Sequence, residues 1–430
     1  MAAWFSACFI MMLTLTAALR LWLNLRQMRH VIAHRAAVPA AFSARIPLAD
    51  HQKAADYTVA QMRLANLELG VETLWLLLLT FGGALAALDR FWRGFFPDAG
   101  IAYGLALFAS VGSLSFLVGL PFTLWRIFRI ETAFGFNKMT PALFVSDLLK
   151  QLALLLLIGA PLLSLVLWLM EALGRHWWLA VWVVWFAFNL LVLFIYPTLI
   201  APLFNKFTPL PESETKRRIE ALLQRCGFTS AGLFVMDGSK RSAHGNAYFT
   251  GFGQAKRIVF FDTLLAKLAP AEVEAALAHE LGHFRRRHIL KRIVVMALIT
   301  FALLGLLGQI IDQAWFYAGL GVAEAVKVGA DGTAHNTALA LILFTFVLPV
   351  FAFPLTPLFS WWSRRHEFEA DAFAACESDA RALIEALVKL YRENAATLTP
   401  DPLYALFHAS HPPAAERIAH LASLKESSAC

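Results

Sequence analysis

One stretch decides the fold, residues 279–307, which reads HELGHFRRRHILKRIVVMALITFALLGLL. Its first five residues, 279–283, place two histidines four positions apart, so on a helix they share one face and can bind one metal ion. Its second half lies in an apolar run near 291–312 that is long enough to cross a bilayer as a helix. The stretch therefore predicts a metal centre next to a membrane span, with the basic residues 285–287 at the boundary with water.

The composition of the whole chain also favours a membrane protein. Of the 430 residues, 59% are hydrophobic and 16% are charged, and the mean hydropathy is +0.61. About seven apolar stretches are long enough to span a bilayer. They lie near 4–24, 70–88, 101–125, 146–170, 177–200, 291–312 and 336–360. We expect the first to be retained as a span, because it lacks the basic start of a signal peptide.

The distribution of Lys and Arg predicts the orientation in the membrane. These residues are concentrated between spans one and two and between spans three and four, which marks both loops as cytoplasmic. The polar segments 201–290 and 363–430 are then also cytoplasmic, and the amino terminus faces the other side. Because the basic residues flank apolar spans and no nucleic-acid recognition motif is present, the net charge of +7 indicates contact with lipid headgroups and not with nucleic acid.

The first polar segment has the pattern of a small α+β domain. The periodicity predicts an amphipathic helix over 213–225 and strands over 232–236, 247–249 and 257–261. A long helix over 271–289 follows Pro270, which suits a first helical turn. The predicted fold class is a multi-pass α-helical membrane protein that carries an α+β domain.

The 279–283 run has the HExxH pattern of zincins, so the predicted α+β domain is a zincin-type metalloprotease domain. His279 and His283 are the predicted zinc ligands, and Glu280 lies where it can act on a water molecule as general base. A catalytic zinc usually takes a third protein ligand, for which the sequence offers His288, His366 and Glu367. The four cysteines lack paired spacing, so they do not indicate a cysteine zinc site. The alternative for the run is a polar helix end with two solvated histidines.

The second polar segment begins with Glu367-Phe368-Glu369-Ala370-Asp371, residues 367–371. On a helix, Glu367 and Asp371 share a face that can present a ligand and a supporting carboxylate. A carboxylate that accepts the free N–H of a zinc-bound histidine fixes the tautomer of that histidine. The alternative is an ordinary charged helix start beside Arg364 and Arg365.

An ordered set of motifs covers nearly the whole chain. HELGH is followed, after a predicted membrane hairpin, by SRRHEFEADAFA at 363–374. The other segments are ETAFGFNKMT at 131–140, IAPLFNKFTPL at 200–210, DGSKRSAHGNAYFTGFG at 237–253, KRIVFFDTLL at 256–265 and DPLYALFHASHPPAAERIAHL at 401–421. This set resembles the integral-membrane zinc metalloproteases of the CAAX prenyl protease 1 family, which mature the yeast a-factor pheromone and prelamin A. The resemblance implies seven helices around a large water-filled chamber, closed at its cytoplasmic end by the zinc domain.

The resemblance also implies roles for individual residues. Glu367 matches the third zinc ligand of the family, Asp371 matches its supporting carboxylate, and Glu369 is then not a ligand. Asn246 matches an asparagine beside the substrate backbone, and His411 matches a histidine near the zinc that steadies the oxyanion.

Arg417 matches an arginine of the same neighbourhood. Without the resemblance, Asn246, His411 and Arg417 would be read as a turn asparagine, a surface histidine before two prolines and an exposed helix arginine. We also predict that a substrate peptide pairs as an added strand with the extended stretch made of Asn246, Ala247, Tyr248 and Phe249.

The predicted activity is zinc-dependent hydrolysis of a peptide bond, with one Zn²⁺ per chain. Zinc polarises the carbonyl and acidifies its water, while Glu280 takes a proton and returns it to the leaving amine. The expected partners are membrane lipids and a peptide or protein substrate that is lipidated or membrane-associated. The expected location is a bacterial inner membrane, with the active site toward the cytoplasm.

Three other functions are alternatives for a chain with these motifs. The HtpX quality-control proteases share HExxH and ExxxD, but they are shorter, have fewer spans and lack the 131–138 and 408–413 segments. A transporter or scaffold with a structural zinc site would not need Glu280, and the spans are nearly free of charge. The basic residues after 284 argue against an intramembrane site of the site-two-protease class.

These observations divide the chain into four predicted parts. They are the membrane domain 1–200, the first protease part 201–290, the membrane hairpin 291–360 and the second protease part 361–430.

Overall fold

The structure is a computed structural model that describes residues 1–250, 257–328 and 334–426. Residues 251–253 and 256 of two motifs, and residues 427–430 of the second protease part, lie outside the described residues. The helices are α1 (Ala2–Ala33), α2 (Leu48–Leu79), α3 (Ala84–Arg93), α4 (Ile101–Trp125), α5 (Pro141–Leu154), α6 (Ala160–Ala172), α7 (Trp177–Ile195), α8 (Ala201–Phe204), α9 (Glu214–Arg225), α10 (Asp262–Leu265), α11 (Pro270–Arg285), α12 (His288–Ile310), α13 (Ala314–Gly319), α14 (Thr337–Ala352), α15 (Thr356–Glu377), α16 (Ala380–Glu393), α17 (Pro402–His408) and α18 (Ala414–Glu426). The strands are β1 (Phe207–Pro209), β2 (Gly232–Met236), β3 (Ala247–Thr250), β4 (Arg257–Phe261), β5 (Lys327–Val328) and β6 (Ala334–His335).

The membrane part is built from long apolar helices, several of which continue through short turns of wider or tighter winding. In the described part of the chain, six helical segments are long and apolar enough to cross a bilayer, and the bent pair α2 and α3 raises this number to as many as seven. The six are Ala2–Ala33, Ile101–Glu131, Pro141–Ala172, Gly174–Phe204, His288–Ile310 and Thr337–Glu377. The prediction of a multi-pass helical membrane protein is therefore confirmed.

The second predicted span, near 70–88, is not one continuous helix. Helix α2 ends at Leu79 and α3 begins at Ala84, with a bend of 48° between them. Gly83 has a φ of 75°, which a glycine adopts without the steric cost of a Cβ atom. The glycine pair at 82–83 therefore breaks the predicted helix.

The two largest apolar cores in the described residues lie in different parts of the molecule. One joins α1, α4, α6, α7 and α14 within the membrane part, and the other joins the larger sheet to α9, α11 and α16. Many large apolar side chains of the membrane helices are exposed on the outside, including Leu74, Leu157 and Leu298. Exposed apolar surface of this extent is expected where lipid, and not water, is the surrounding solvent.

The larger sheet has the strand order β1-β2-β4-β3. Strands β2 and β4 are parallel, and the outer strands β1 and β3 are antiparallel to their neighbours. The three predicted strands and helix α9 are confirmed, and the Ser213 side chain caps α9 by accepting a hydrogen bond from the Lys216 N–H. Because β3 is an edge strand, its outer backbone groups face away from the sheet.

Two further boundaries differ from the prediction. The predicted helix 271–289 ends early, because α11 stops at Arg285 and Arg287 adopts a left-handed φ of 56° before α12 begins at His288. Helices α14 and α15, joined by the turn Phe353–Leu355, form one segment that runs through residue 360. The division of the chain into four parts remains a prediction.

Candidate metal centre

Helix α11 carries the HELGH run and packs directly on α15. The start of α11 is fixed because the Glu272 side chain accepts a hydrogen bond from the Ala269 N–H at 2.7 Å. Gly282 faces α15 so closely that a Cβ atom on it would lie 2.9 Å from the Ala370 Cα. The glycine of the run therefore lets the two helices approach until the side chains of His279, His283 and Glu367 meet.

The ligand atoms of these three side chains have the spacing that a metal ion requires. The His279 and His283 Nε2 atoms are 3.2 Å apart, and they lie 3.4 and 3.2 Å from the two oxygens of Glu367. In a tetrahedral site with bonds of about 2.0–2.1 Å, ligand atoms are about 3.3 Å apart. Glu367 Oε2 is buried and has no hydrogen-bond partner among the described residues, so a cation would also satisfy this orphaned oxygen. The three residues therefore fit a metal ion.

Asp371 holds the outer nitrogen of His279. Its Oδ1 lies 2.8 Å from His279 Nδ1, which leaves the Nε2 lone pair free to face the metal position. Asp371 is fully buried and also accepts two hydrogen bonds from Arg417, at 2.8 Å from Nε and 2.5 Å from Nη2. Arg417 is itself only 5% exposed, and its Nη1 lies 3.6 Å from Glu367 Oε2. The arginine thus neutralises two buried carboxylates behind the metal position.

His288 gives His283 the corresponding support, which the sequence did not reveal. The His288 and His283 Nδ1 atoms are 3.0 Å apart, and His288 Nε2 lies 3.1 Å from Glu369 Oε2. Because the carboxylate of Glu369 can only accept, His288 donates from Nε2 and its Nδ1 accepts from His283. The His283 Nε2 lone pair is then free for a metal. On a continuous helix His288 would face elsewhere, and the backbone turn at Arg287 brings it back to His283.

The candidate ligand His366 and the neighbouring Glu369 lie outside the cluster. The His366 ring stacks on the His288 ring at 3.9 Å, and Glu369 pairs with His288 and Arg365. Within the described residues, the group spaced to hold a metal contains Glu367 and neither His366 nor Glu369.

Glu280 and His411 face the metal position from an adjoining cavity of about 940 Å³. Burial raises the pKa of Glu280 above its ordinary value, which moves this carboxylate toward the range of an effective general base. His411 Nε2 lies 3.6 Å from Glu367 Oε2, and its ring is largely exposed to the cavity. From this position the imidazole can donate a hydrogen bond to a group held at the metal.

Arg364 fixes the loop that carries His411. Its Nη1 donates hydrogen bonds to the Ala405 and Ala409 carbonyl oxygens, both at 3.0 Å, at the end of α17. Arg364 lies one turn before Glu367 on α15, so one helix positions both the ligand and the His411 loop. Sequence reasoning assigned Arg364 no role beyond a charged helix start.

The rest of the cavity reaches into the membrane part. Tyr248 and Phe249 of β3 line it near the metal position, and apolar residues of α7 and α12 form its remaining walls. A second cavity, of about 820 Å³, lies among α1, α2, α4 and α14. The single large chamber that the resemblance implies remains a prediction.

Asn246 and Ala247 are not among the residues that line the metal-site cavity. Asn246 is exposed, its carbonyl oxygen accepts from the Phe261 N–H at 3.0 Å, and its side chain accepts from the Ala247 N–H at 2.8 Å. The structure thus places both residues at the start of the edge strand β3, and their contact with a substrate backbone stays a prediction.

Arg241 fastens the loop before β3 to the membrane part. Its side chain forms a pair with Asp147 on α5, at 2.8 and 2.9 Å, and donates to the Phe204 carbonyl at 2.7 Å. The loop also pairs with the 131–140 motif, since Lys138 N–H donates to the Arg241 carbonyl and Ala243 N–H to the Phe136 carbonyl. The carboxylate at position 147, within the predicted span 146–170, is a sequence signal that could have indicated this contact and that the prediction did not use.

Known proteins resemble the chain over most of its length. The family described as CAAX prenyl protease N-terminal, five membrane helices, matches residues 27–206, and peptidase family M48 matches residues 209–425. CAAX prenyl protease 1 of Saccharomyces cerevisiae is 39% identical over 334 residues, which cover 76% of this chain and 73% of that protein. The human CAAX prenyl protease 1 homolog is 33% identical over 407 residues, with coverages of 83% and 82%. The crystal structure of S. mikatae Ste24p matches with a TM-score of 0.89 at 31% identity, and the match covers 97% of this chain and 99% of that one.

Proposed function

Because the chain belongs to the CAAX prenyl protease 1 family, whose members are membrane metalloproteases of peptidase family M48, we propose that it is a zinc endopeptidase whose metal is held by His279, His283 and Glu367. The observation that carries the ligand assignment is the 3.2–3.4 Å spacing of the three ligand side chains beside Glu280. Two imidazoles and a carboxylate form a donor set that catalytic zinc commonly takes. Family membership does not favour the HtpX-like alternative or a transporter with a structural zinc site.

Glu280 is the proposed general base and acid. When bound, zinc polarises the scissile carbonyl and lowers the pKa of a water molecule. Glu280 takes the proton of the attacking water and returns it to the leaving amine, so no covalent intermediate with the protein is needed. His411 donates a hydrogen bond to the oxygen that gains negative charge, and Arg417 with Asp371 holds His279 in place.

The proposed substrate lies along β3 as an additional strand. Among the described residues β3 is an edge strand, which supports this arrangement, since main-chain hydrogen bonds would hold the peptide beside Asn246, Ala247, Tyr248 and Phe249. The apolar walls of the cavity suit apolar side chains or a prenyl group, and CAAX prenyl protease 1 is the name that the relatives carry. We therefore propose a lipidated or membrane-associated protein as substrate.

We propose a bacterial inner membrane as the location, with the active site facing the cytoplasm. The placement of Lys and Arg between spans one and two and between spans three and four supports this orientation. Protease protection of epitope tags in the loops after α1 and α6 measures it. The loop after α1 should be cytoplasmic and the loop after α6 should lie on the other side of the membrane. The reverse pattern of protection would contradict this orientation.

The test of the reaction is Glu280→Gln, compared with the wild type on a farnesylated peptide and on its unmodified counterpart. The variant should keep its zinc, measured by elemental mass spectrometry, and lose hydrolysis, because the amide cannot accept the proton. Cleavage at the wild-type rate would refute the role of Glu280. Glu367→Ala should lose zinc. If this variant kept its zinc and its activity, the third ligand would instead be His366 or Glu369.

A further inference from the structure

Two of the quoted sequence motifs, at 131–140 and 237–253, contribute side chains to one junction between the membrane part and the protease part. Glu131 ends the helical segment that begins with α4, and His244 lies in the loop before β3. The His244 ring stacks on the Phe136 ring, with the ring centres 4.4 Å apart and the planes inclined by 25°. Phe136 belongs to a small apolar core of its own. The proposed reaction gives none of these side chains a role.

Both ring nitrogens of His244 face hydrogen-bond acceptors. Nε2 lies 3.4 Å from Glu131 Oε2, and the other oxygen of that carboxylate accepts from the Tyr57 hydroxyl. Nδ1 lies 3.3 Å from Asn394 Oδ1, which also accepts from the Gly245 N–H at 3.2 Å. Because a backbone N–H can only donate, the Asn394 oxygen must face the loop, and His244 then donates from both nitrogens. The imidazole is therefore held at two ends by two distant parts of the chain.

These contacts connect three helices to the start of β3. One partner lies on α2, one ends the segment that continues α4, and one follows the last residue of α16. The His244 carbonyl oxygen accepts from the Thr263 hydroxyl at 2.9 Å, so the backbone of the loop is held as well. Asn246 follows two residues later, and two residues of extended chain span at most about 7 Å. Fixing His244 therefore limits where β3 begins.

An edge strand depends on such support. Among the described residues, β3 pairs with β4 alone. A substrate strand would bond to the other side of β3, and hydrogen bonds weaken steeply when donor and acceptor are misaligned. The strength of substrate pairing therefore depends on how firmly the start of β3 is held.

We propose that His244 is a positioning residue for the substrate, which anchors β3 to the membrane helices and so aligns the backbone groups that a substrate strand meets. The inference rests on the proposed pairing of a peptide with β3. His244 is not among the residues that line the metal-site cavity, so its effect reaches the reaction through the strand. Glu131 and Asn394 share this role, because they hold the imidazole.

The experiment measures how much cleavage depends on backbone pairing. A series of quenched fluorescent peptides carries one ester in place of one amide, at successive positions beside the scissile bond, so that each peptide lacks one N–H donor. In the wild type, an ester at a position that pairs with β3 should lower kcat/KM by about 2- to 12-fold, the range of a neutral hydrogen bond. In His244→Ala the same ester should cost less than about 2-fold, with a raised KM for the all-amide peptide and unchanged zinc.

Further variants separate positioning from folding. Asn394→Asp retains an oxygen acceptor for the loop and should keep the wild-type ester cost, whereas Asn394→Leu removes the acceptor and should behave like His244→Ala. The matched control is Asp56→Asn, which breaks an exposed ion pair between α2 and Arg35 and should keep the wild-type ester cost.

Two results would overturn the proposal. In the first, His244→Ala and Asn394→Leu lower the rate for every peptide by the same factor and leave the ester cost unchanged, which shows that the junction contributes to stability alone. In the second, no ester position affects the wild type, because there is then no strand pairing for His244 to align.

Binding separates this proposal from the proposed reaction. The amide and ester peptides are titrated by calorimetry into the Glu280→Gln variant, with and without His244→Ala. If the wild type hydrolyses no peptide, the reaction is refuted, and an ester cost in binding that disappears with His244→Ala still supports the positioning role. An ester cost in binding that persists with His244→Ala refutes the positioning role, whatever the hydrolysis result.

Discussion

Asp371→Asn is the substitution that most directly tests how the protein holds its metal. The wild-type carboxylate is fully buried, lies 2.8 Å from His279 Nδ1 and accepts two hydrogen bonds from Arg417. The amide has nearly the same volume but no charge, so His279 loses its anionic partner. Glu367, at 3.6 Å, is then the one carboxylate that still pairs with Arg417 among the described residues. Removal of such a supporting carboxylate typically costs about 10- to 100-fold in metal affinity.

The same substitution should destabilise the metal-free protein. Breaking a buried ion pair from one side costs about 3–5 kcal/mol of unfolding free energy, because the remaining charge stays buried. The double variant Asp371→Leu with Arg417→Met removes both charges. We expect it to recover much of the stability but not the metal affinity, because apolar pairs can replace buried ion pairs energetically and cannot orient His279.

Two measurements in detergent solution separate these effects. Competition with a chelator of known zinc affinity gives the metal affinity, and thermal unfolding of the metal-free protein gives the stability. Glu385→Gln, which breaks an exposed ion pair with Arg45, is the matched control and should change both by little. Wild-type zinc affinity in Asp371→Asn would refute the argument that this carboxylate fixes the ligand.

Three further predictions concern contacts around the site. Arg364→Ala should retain its zinc but have a lower kcat, because Arg364 acts through the His411 loop. For the same reason it should have no further effect in a His411→Ala background. Additive losses of activity in this double-mutant cycle would contradict that role. Gly282→Ala should lower zinc affinity and the melting temperature together, because the added methyl group pushes α11 from α15, and unchanged zinc affinity would show that the helices can adjust. Asp147→Asn should raise KM more than it lowers kcat, because Arg241 then holds the loop before β3 less firmly. An unchanged KM would show that the Arg241–Asp147 ion pair contributes to stability alone.

The sequence predicted the features that depend on local pattern. Hydropathy located the membrane helices, and the spacing of His279 and His283 placed both imidazoles on one face. Strands β2, β3 and β4 of the protease sheet were also predicted, because the length of each strand and its pattern of apolar residues can be recognised in consecutive residues. Strand β1 was not predicted, since three residues are too short to carry a period.

The features that escaped prediction depend on a backbone turn or on distant contacts. Three consecutive arginines are good helix formers, so nothing local indicated that the chain would turn at Arg287 and bring His288 onto His283. Arg417 gave no sign of burial, because its carboxylate partner is 46 residues away along the chain. The resemblance placed it near the site, and the structure adds what it contacts.

In the sequence, two ligands precede the two membrane helices α12 and α14 and the third ligand follows them. This arrangement sets the order in which the ligands are synthesised. During synthesis His279 and His283 leave the ribosome first, α12 and α14 follow, and Glu367 emerges after both of these helices. A nascent chain with only the first two ligands lacks the full metal site. We expect the proteolytic activity to begin only when the hairpin has inserted, so that the unfinished enzyme does not cleave the proteins made beside it.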